Sequence, residues 1–131
     1  MKKLALLVLL MANLFANDIA WSDTYEQAQV KAKKESKPML VIITTEQCRW
    51  CRKFEATTLS DEDVISKINT RFVSVHVTRD KSIYPKALGA KMVPMSYFLD
   101  ESGKVIYSMP GYWPVDDYQS ILDDALRKAK K

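Results

Sequence analysis

Cysteine and histidine are nearly missing from these 131 residues, which hold two of the first and one of the second. Two cysteines cannot build a disulfide-stapled miniprotein. Together with a single histidine they do not complete a four-ligand zinc site either. Staples are not needed, because a chain of this length buries about two-thirds of its unfolded surface. The length fits one domain, not two. Internal repeats, linkers and low-complexity stretches are also lacking. The 47% hydrophobic and 27% charged residues are those of a folded globular chain.

No apolar run reaches the ~20 residues needed to span a bilayer. The one greasy stretch, Leu4 to Ala12, follows Lys2 and Lys3 and leads through Asn13, Leu14 and Phe15 to Ala16. A short basic start, a short apolar middle and a small final residue describe a secretory signal peptide over residues 1–16, cleaved after Ala16. The alternative is an uncleaved interfacial anchor. A lipoprotein is disfavoured, since no cysteine stands near that point. The expected domain is therefore 17–131, exported to the periplasm.

Charge of one sign is scarce too. The net charge is +4, and removing Lys2 and Lys3 leaves 18 basic against 16 acidic residues. The remaining cations cluster only at Lys31 to Lys37 and at the tail from Arg127, both on expected helices where a solvated face is the plain reading. There is no basic groove interleaved with aromatics, so nucleic-acid binding is not expected.

Periodicity sets the element order. Trp21 to Ser36 reads as a helix capped at Ser22 or Asp23 and closed by Pro38. Met39 to Thr45 is a continuous apolar run, as in a strand buried on both faces. Cys48 to Leu59 reads as a helix, and a second follows Ser60-Asp61-Glu62-Asp63 to about Asn69. Val73, Val75 and Val77 alternate with Ser74 and His76 in strand fashion. Lys81 to Leu88 reads as a short helix ended by Gly89. Met95 to Leu99 and Lys104 to Ser108 form a hairpin about the turn at Asp100 to Gly103, and a long amphipathic helix starts near Pro114. The expected fold is α/β, a mixed central sheet of about four strands with helices on both faces.

Both cysteines fall in one motif, Cys48-Arg49-Trp50-Cys51, between a buried strand and a helix start. Free N–H groups and the dipole at that helix end favour the Cys48 thiolate, which is the attacking species. Arg49 reinforces this and Glu46 opposes it. Cys51, one turn on, can attack the mixed disulfide that Cys48 forms, which makes the pair a reversible two-electron couple. A c-type haem site fails, because Arg52 stands where histidine is required. Two-coordinate binding of a soft metal such as Cu(I), helped by Met92, Met95 and Met109, stays open. A purely structural bridge closing so short a loop would stabilise little.

The stretch from Trp21 to Glu55 around that motif, then SDEDVISKINTRFVSVHV and MVPMSYFLDESGKVIYSMPGY, resembles the thioredoxin superfamily. It looks like the small exported branch that includes the C-terminal domain of the membrane protein carrying reducing electrons to the periplasm. The resemblance implies a thioredoxin-like fold with Cys48 as exposed nucleophile and Cys51 as buried resolving thiol. It implies a cis Pro94 facing them, with the Val93 backbone pairing with substrate and Gly111 beside the active-site surface. Arg49 and Trp50 would contribute to substrate binding, and Trp113 could either flank the cysteines or pack in the core.

Two positions depart from thioredoxin. Ile42 replaces the buried strand acid, and His76 stands in place of the lysine that partners it. His76 and Glu55 are thus the candidate proton-transfer groups, although each could be an ordinary strand or helix residue. No nucleotide or flavin site is visible and no metal is expected, so electrons should arrive by thiol exchange. The expected protein is a periplasmic thiol–disulfide oxidoreductase for cysteine-containing proteins, more as a reductase fed by a membrane donor than as an oxidant. A monomer is expected, without the dimerisation domain that an isomerase usually needs. The alternative is a binding module or metallochaperone that holds Cu(I) or a client through the two cysteines without turnover.

Overall fold

A computed structural model describes residues 18–131; the expected signal peptide, residues 1–16, lies outside them. The chain order is β1 (Trp21–Ser22), α1 (Tyr25–Glu35), β2 (Met39–Thr44), α2 (Arg49–Ala56), a 3-10 turn (Thr58–Ser60), α3 (Glu62–Arg71), β3 (Val73–Thr78), β4 (Met95–Leu99), β5 (Val105–Pro110) and α4 (Val115–Ala129). The strands form one sheet in the order β1-β3-β2-β4-β5. β3 pairs parallel with both β1 and β2, while β4 runs antiparallel to β2 and β5.

Every residue of β2 is buried, which is why its sequence is apolar without alternation. Met39, Val41 and Ile43 face the α1 side, with Tyr25, Ala28, Ala32 and the three valines of β3. Leu40 and Ile42 face the other side, where α2, α3 and α4 contribute Phe54, Val64, Ile68, Tyr118 and Leu122. Helices on both faces thus follow from a strand that is greasy on both.

The sheet has five strands rather than four. Trp21 and Ser22 pair with Ser74 and Val75 instead of opening the first helix. That helix starts at Tyr25 because Thr24, not Ser22 or Asp23, is the cap, its Oγ1 accepting the Gln27 N–H at 3.1 Å. It ends at Ser36 in the left-handed conformation, before Pro38 is reached. The expected helix from Cys48 to Leu59 breaks at Thr57. There the Thr57 and Ser60 hydroxyls donate to the Lys53 and Glu55 carbonyls, and Thr58 donates to Trp113 O at 2.6 Å.

The segment from Lys81 to Leu88 is not helical. Pro85 in its middle lacks an N–H and restricts Tyr84 before it, so only isolated turns form, such as Leu88 N–H to Pro85 O. Leu88 still buries itself against the α1 side of the sheet. Ser74, on the face of β3 opposite its valines, is buried as well, because this sheet is covered on both faces. On the α4 side, Tyr118 is buried and its hydroxyl bonds Ser96 at 2.9 Å. That pairing is necessary, since a lone buried hydroxyl costs about 1–3 kcal/mol.

Candidate active site

The site forms where the parallel strands end. β2 stops at Thr44, level with Thr78 at the end of β3 and one step past Ile43, which pairs with Met95 at the start of β4. The chain leaving β2, the chain entering β4 and the chain leaving β5 therefore meet at one end of the sheet. Ligand sites in open α/β sheets sit at such ends, where the strand order reverses, as it does here on either side of β2.

Cys48 is the N-cap of α2, in extended conformation, and is bonded to Cys51 in a disulfide. Its Sγ accepts the Cys51 N–H at 3.0 Å, so the sulfur takes the place usually held by a capping oxygen. An exposed nucleophile was expected, yet Cys48 is 8% exposed and Cys51 2%. Both cysteines are buried, Cys51 more deeply. Trp50 between them stands out at 51% exposure.

The Val93–Pro94 peptide bond is cis, as the resemblance implied. Pro94 O accepts the Gly111 N–H at 2.7 Å, tying the entry of β4 to the exit of β5. Gly111 has φ +92°, a conformation that favours glycine. The loop before Pro94 is held from two sides: Arg79 Nη1 donates to Ala90 O at 2.6 Å, and the Tyr97 hydroxyl donates to Gly89 O.

Past Gly111, Tyr112 and Trp113 both lie half-buried against the core but make different contacts. Trp113 packs against the α2–α4 core and donates its Nε1 to Pro110 O at 2.9 Å, so it belongs to the scaffold. Tyr112, which the sequence did not single out, lies 5.8 Å from the Trp50 ring and 6.3 Å from the Phe54 ring. Lys53 extends over the exposed Trp50 ring and the half-buried Tyr112 ring, 5.2 Å from the first and 4.8 Å from the second. Spacing carried part of that signal, since Lys53 falls one turn after Arg49 and Trp50 on α2.

Ile42 is buried in the apolar cluster with Phe54, so no strand carboxylate occupies that position. The polar groups lie to the β3 side. His76 pairs with Ile42 in register, its Nε2 is 2.7 Å from Thr44 Oγ1 and 3.6 Å from Glu55 Oε1, and its ring lies 5.6 Å from Trp21. Burial pushes the imidazole below its ordinary 6.5, against the opposing pull of Glu55. His76 is therefore neutral at pH 7. Glu55 is four residues after Cys51, on the same stripe of α2. The two proton-transfer candidates thus meet, with Thr44 as a third member the sequence did not reveal.

A family model for the thioredoxin-like domain matches residues 25–126. The chain belongs to that family. Anterior gradient protein 3 of Mus musculus is 30% identical over 126 residues, 88% of this chain and 73% of that protein. The human protein of the same name is 29% identical over 91 residues, which is 67% of this chain and 53% of that protein. Among solved structures, a thioredoxin from Thermus thermophilus superposes with a TM-score of 0.74 at 21% identity, over 86% of this chain and 90% of that one. At that identity the likeness establishes the fold. With this thioredoxin-like fold and two cysteines joined at a helix N-terminus, the arrangement is that of a thiol–disulfide oxidoreductase.

Proposed function

We propose that the protein is an exported, periplasmic thiol–disulfide oxidoreductase that reduces disulfides in cysteine-containing proteins and is recharged by a membrane thiol donor. One observation carries the reading: Cys48 caps α2 with its own sulfur, which accepts the Cys51 N–H at 3.0 Å. A hydrogen bond to the charged form lowers a pKa, and the helix dipole acts in the same sense. In the reduced protein Cys48 then attacks a client disulfide; its sulfur bonds one client sulfur and the other leaves as a thiolate. Cys51 next attacks Cys48, restoring the internal disulfide and freeing the second client sulfur. The client gains two electrons and the protein loses two.

Other residues take supporting parts in this scheme. The Val93 backbone and Pro94 receive the client strand, while Arg49 and Trp50 flank it. Glu55 and His76 accept the proton from Cys51, in place of a buried acid at Ile42. Export is supported by Lys2, Lys3 and the apolar run from Leu4. The reducing direction is supported by a fold that passes from α2 through α3 to β3 without an inserted helical domain. The test is the equilibrium potential against glutathione: a value near about −270 mV agrees, and one near about −120 mV would make the protein an oxidant.

The role of His76 has its own pH signature. Its pKa lies below 6.5, so the neutral, proton-accepting imidazole predominates at pH 7 and is lost as pH falls through the lowered value. His76→Ala should slow turnover most at neutral pH, by about 100-fold, the low end of what a positioned proton-transfer group contributes. The deficit should shrink toward pH 5. A pH profile parallel to that of the wild type would remove His76 from the mechanism.

A further inference from the structure

The disulfide is flanked by a face that mixes cations with the exposed Trp50 ring and the half-buried Tyr112 ring. Arg49 Cζ lies 5.9 Å from the Trp50 ring centre, and Lys53 Nζ sits over both Trp50 and Tyr112. Arg49 and Lys53 form no ion pair among the described residues. The acids nearest in sequence are engaged elsewhere: Glu46 pairs with Lys81, and Glu55 faces His76. The first turn of α2 carries no carboxylate, although that end of a helix favours one.

Contact with an aromatic ring positions a cation without neutralising it. The face beside Cys48 therefore offers apolar area and uncompensated positive charge together. Rings alone would accept a client of any charge; unpaired cations attract an acidic segment and repel a basic one. We propose that the face of Arg49, Trp50, Lys53 and Tyr112 selects client segments with a glutamate or aspartate within a few residues of the target disulfide. This rests on the thiol exchange proposed above and names its substrate class.

The test uses the protein reduced with dithiothreitol and freed of it, and three peptides that differ at one position. Each carries a single cysteine in mixed disulfide with neutral mercaptoethanol, with Glu, Ser or Lys two residues away. Attack by Cys48 on the peptide sulfur expels mercaptoethanol, and attack by Cys51 then frees the peptide thiol. The rates should fall in the order Glu, Ser, Lys, with Glu about fivefold faster than Lys at low ionic strength, the scale of one or two exposed ion pairs. The ratio should collapse toward one in about 0.5 M salt.

Lys53 is exposed, so charge reversal there leaves the core untouched. Lys53→Glu should bring the Lys peptide level with or ahead of the Glu peptide, while Lys53→Gln should only narrow the gap. Equal wild-type rates for the three peptides, or an unchanged order in Lys53→Glu, would overturn the proposal while leaving the oxidoreductase reading standing. No exchange with any peptide would instead overturn that reading, and the selectivity with it.

Discussion

Cells making the Cys51→Ala variant should fill with mixed disulfides between this protein and its clients. The expectation rests on how α2 separates the two steps of exchange. The stabilising hydrogen bond to Cys48 Sγ comes from the backbone N–H of residue 51, not from its sulfur. Alanine keeps that N–H and the helix, so the Cys48 thiolate remains competent and attack goes on. Release is lost, because no second sulfur stands one turn away. Exchange should then stop after about one turnover, with the client held covalently until a reductant is added.

Cys48→Ala should trap almost nothing, since the remaining thiol is the more deeply buried of the two, at 2% against 8%, and lacks the cap position. Alkylation of the reduced protein should follow the same order, with Cys48 modified first and at a pH below that of a free thiol. Non-reducing gels of extracts and mass mapping of the alkylated sites measure both. If Cys51 were the more reactive thiol, or if both single variants kept full exchange activity, the assigned roles would be wrong.

What could be read in the sequence was local. Met39 to Thr45 announces a strand buried on both faces, and Met39–Thr44 form it with every residue buried, Thr45 falling just outside. The two cysteines between that strand and a helix start define the redox motif without any coordinates. Elements fixed by distant partners were misread. Trp21 and Ser22 look like a helix entrance until their pairing with Ser74 and Val75 supplies a strand. The residues from Lys81 to Leu88 have helical composition, but Pro85 removes the hydrogen bonds a helix needs there.

The site divides the same way. Glu55 and His76 could each be named as proton carriers, but their approach to 3.6 Å depends on the parallel register that sets His76 beside Ile42. Thr44 is hidden because it lies at the end of an apolar run; only the parallel pairing of β2 with β3 brings its hydroxyl to His76. Trp113 and Tyr112 are neighbours in the chain, and the sequence singles out only Trp113, with flanking the cysteines and core packing both open. Both rings lie half-buried against the same core, and Tyr112 is the one beside Trp50 on α2.

The second large effect is expected from Phe54, which anchors the helix that carries both cysteines. Its ring is fully buried and meets Tyr118 edge-on at 4.9 Å and Tyr112 edge-on at 6.3 Å. It falls three residues after Cys51, so it fixes the face of α2 that keeps that sulfur inside. Truncation removes the ring and leaves a cavity that neighbouring rings only partly fill. Phe54→Ala should therefore cost about 3–5 kcal/mol, a large share of a typical domain's about 5–15 kcal/mol. At about 4 °C per kcal/mol, the melting temperature should drop by roughly 12–20 °C. Phe54→Leu keeps most of the volume and should cost about 1–2 kcal/mol. Thermal melts of the oxidised forms decide the stability claim. Alkylation of the reduced forms decides the functional one: Cys51 should become accessible in Phe54→Ala at temperatures where the protein is still folded, and stay protected in Phe54→Leu. A melting temperature within about 3 °C of the wild type for Phe54→Ala, far less than a buried ring's loss implies, would mean that α2 is held by its first turn and by the Thr58 bond to Trp113 instead.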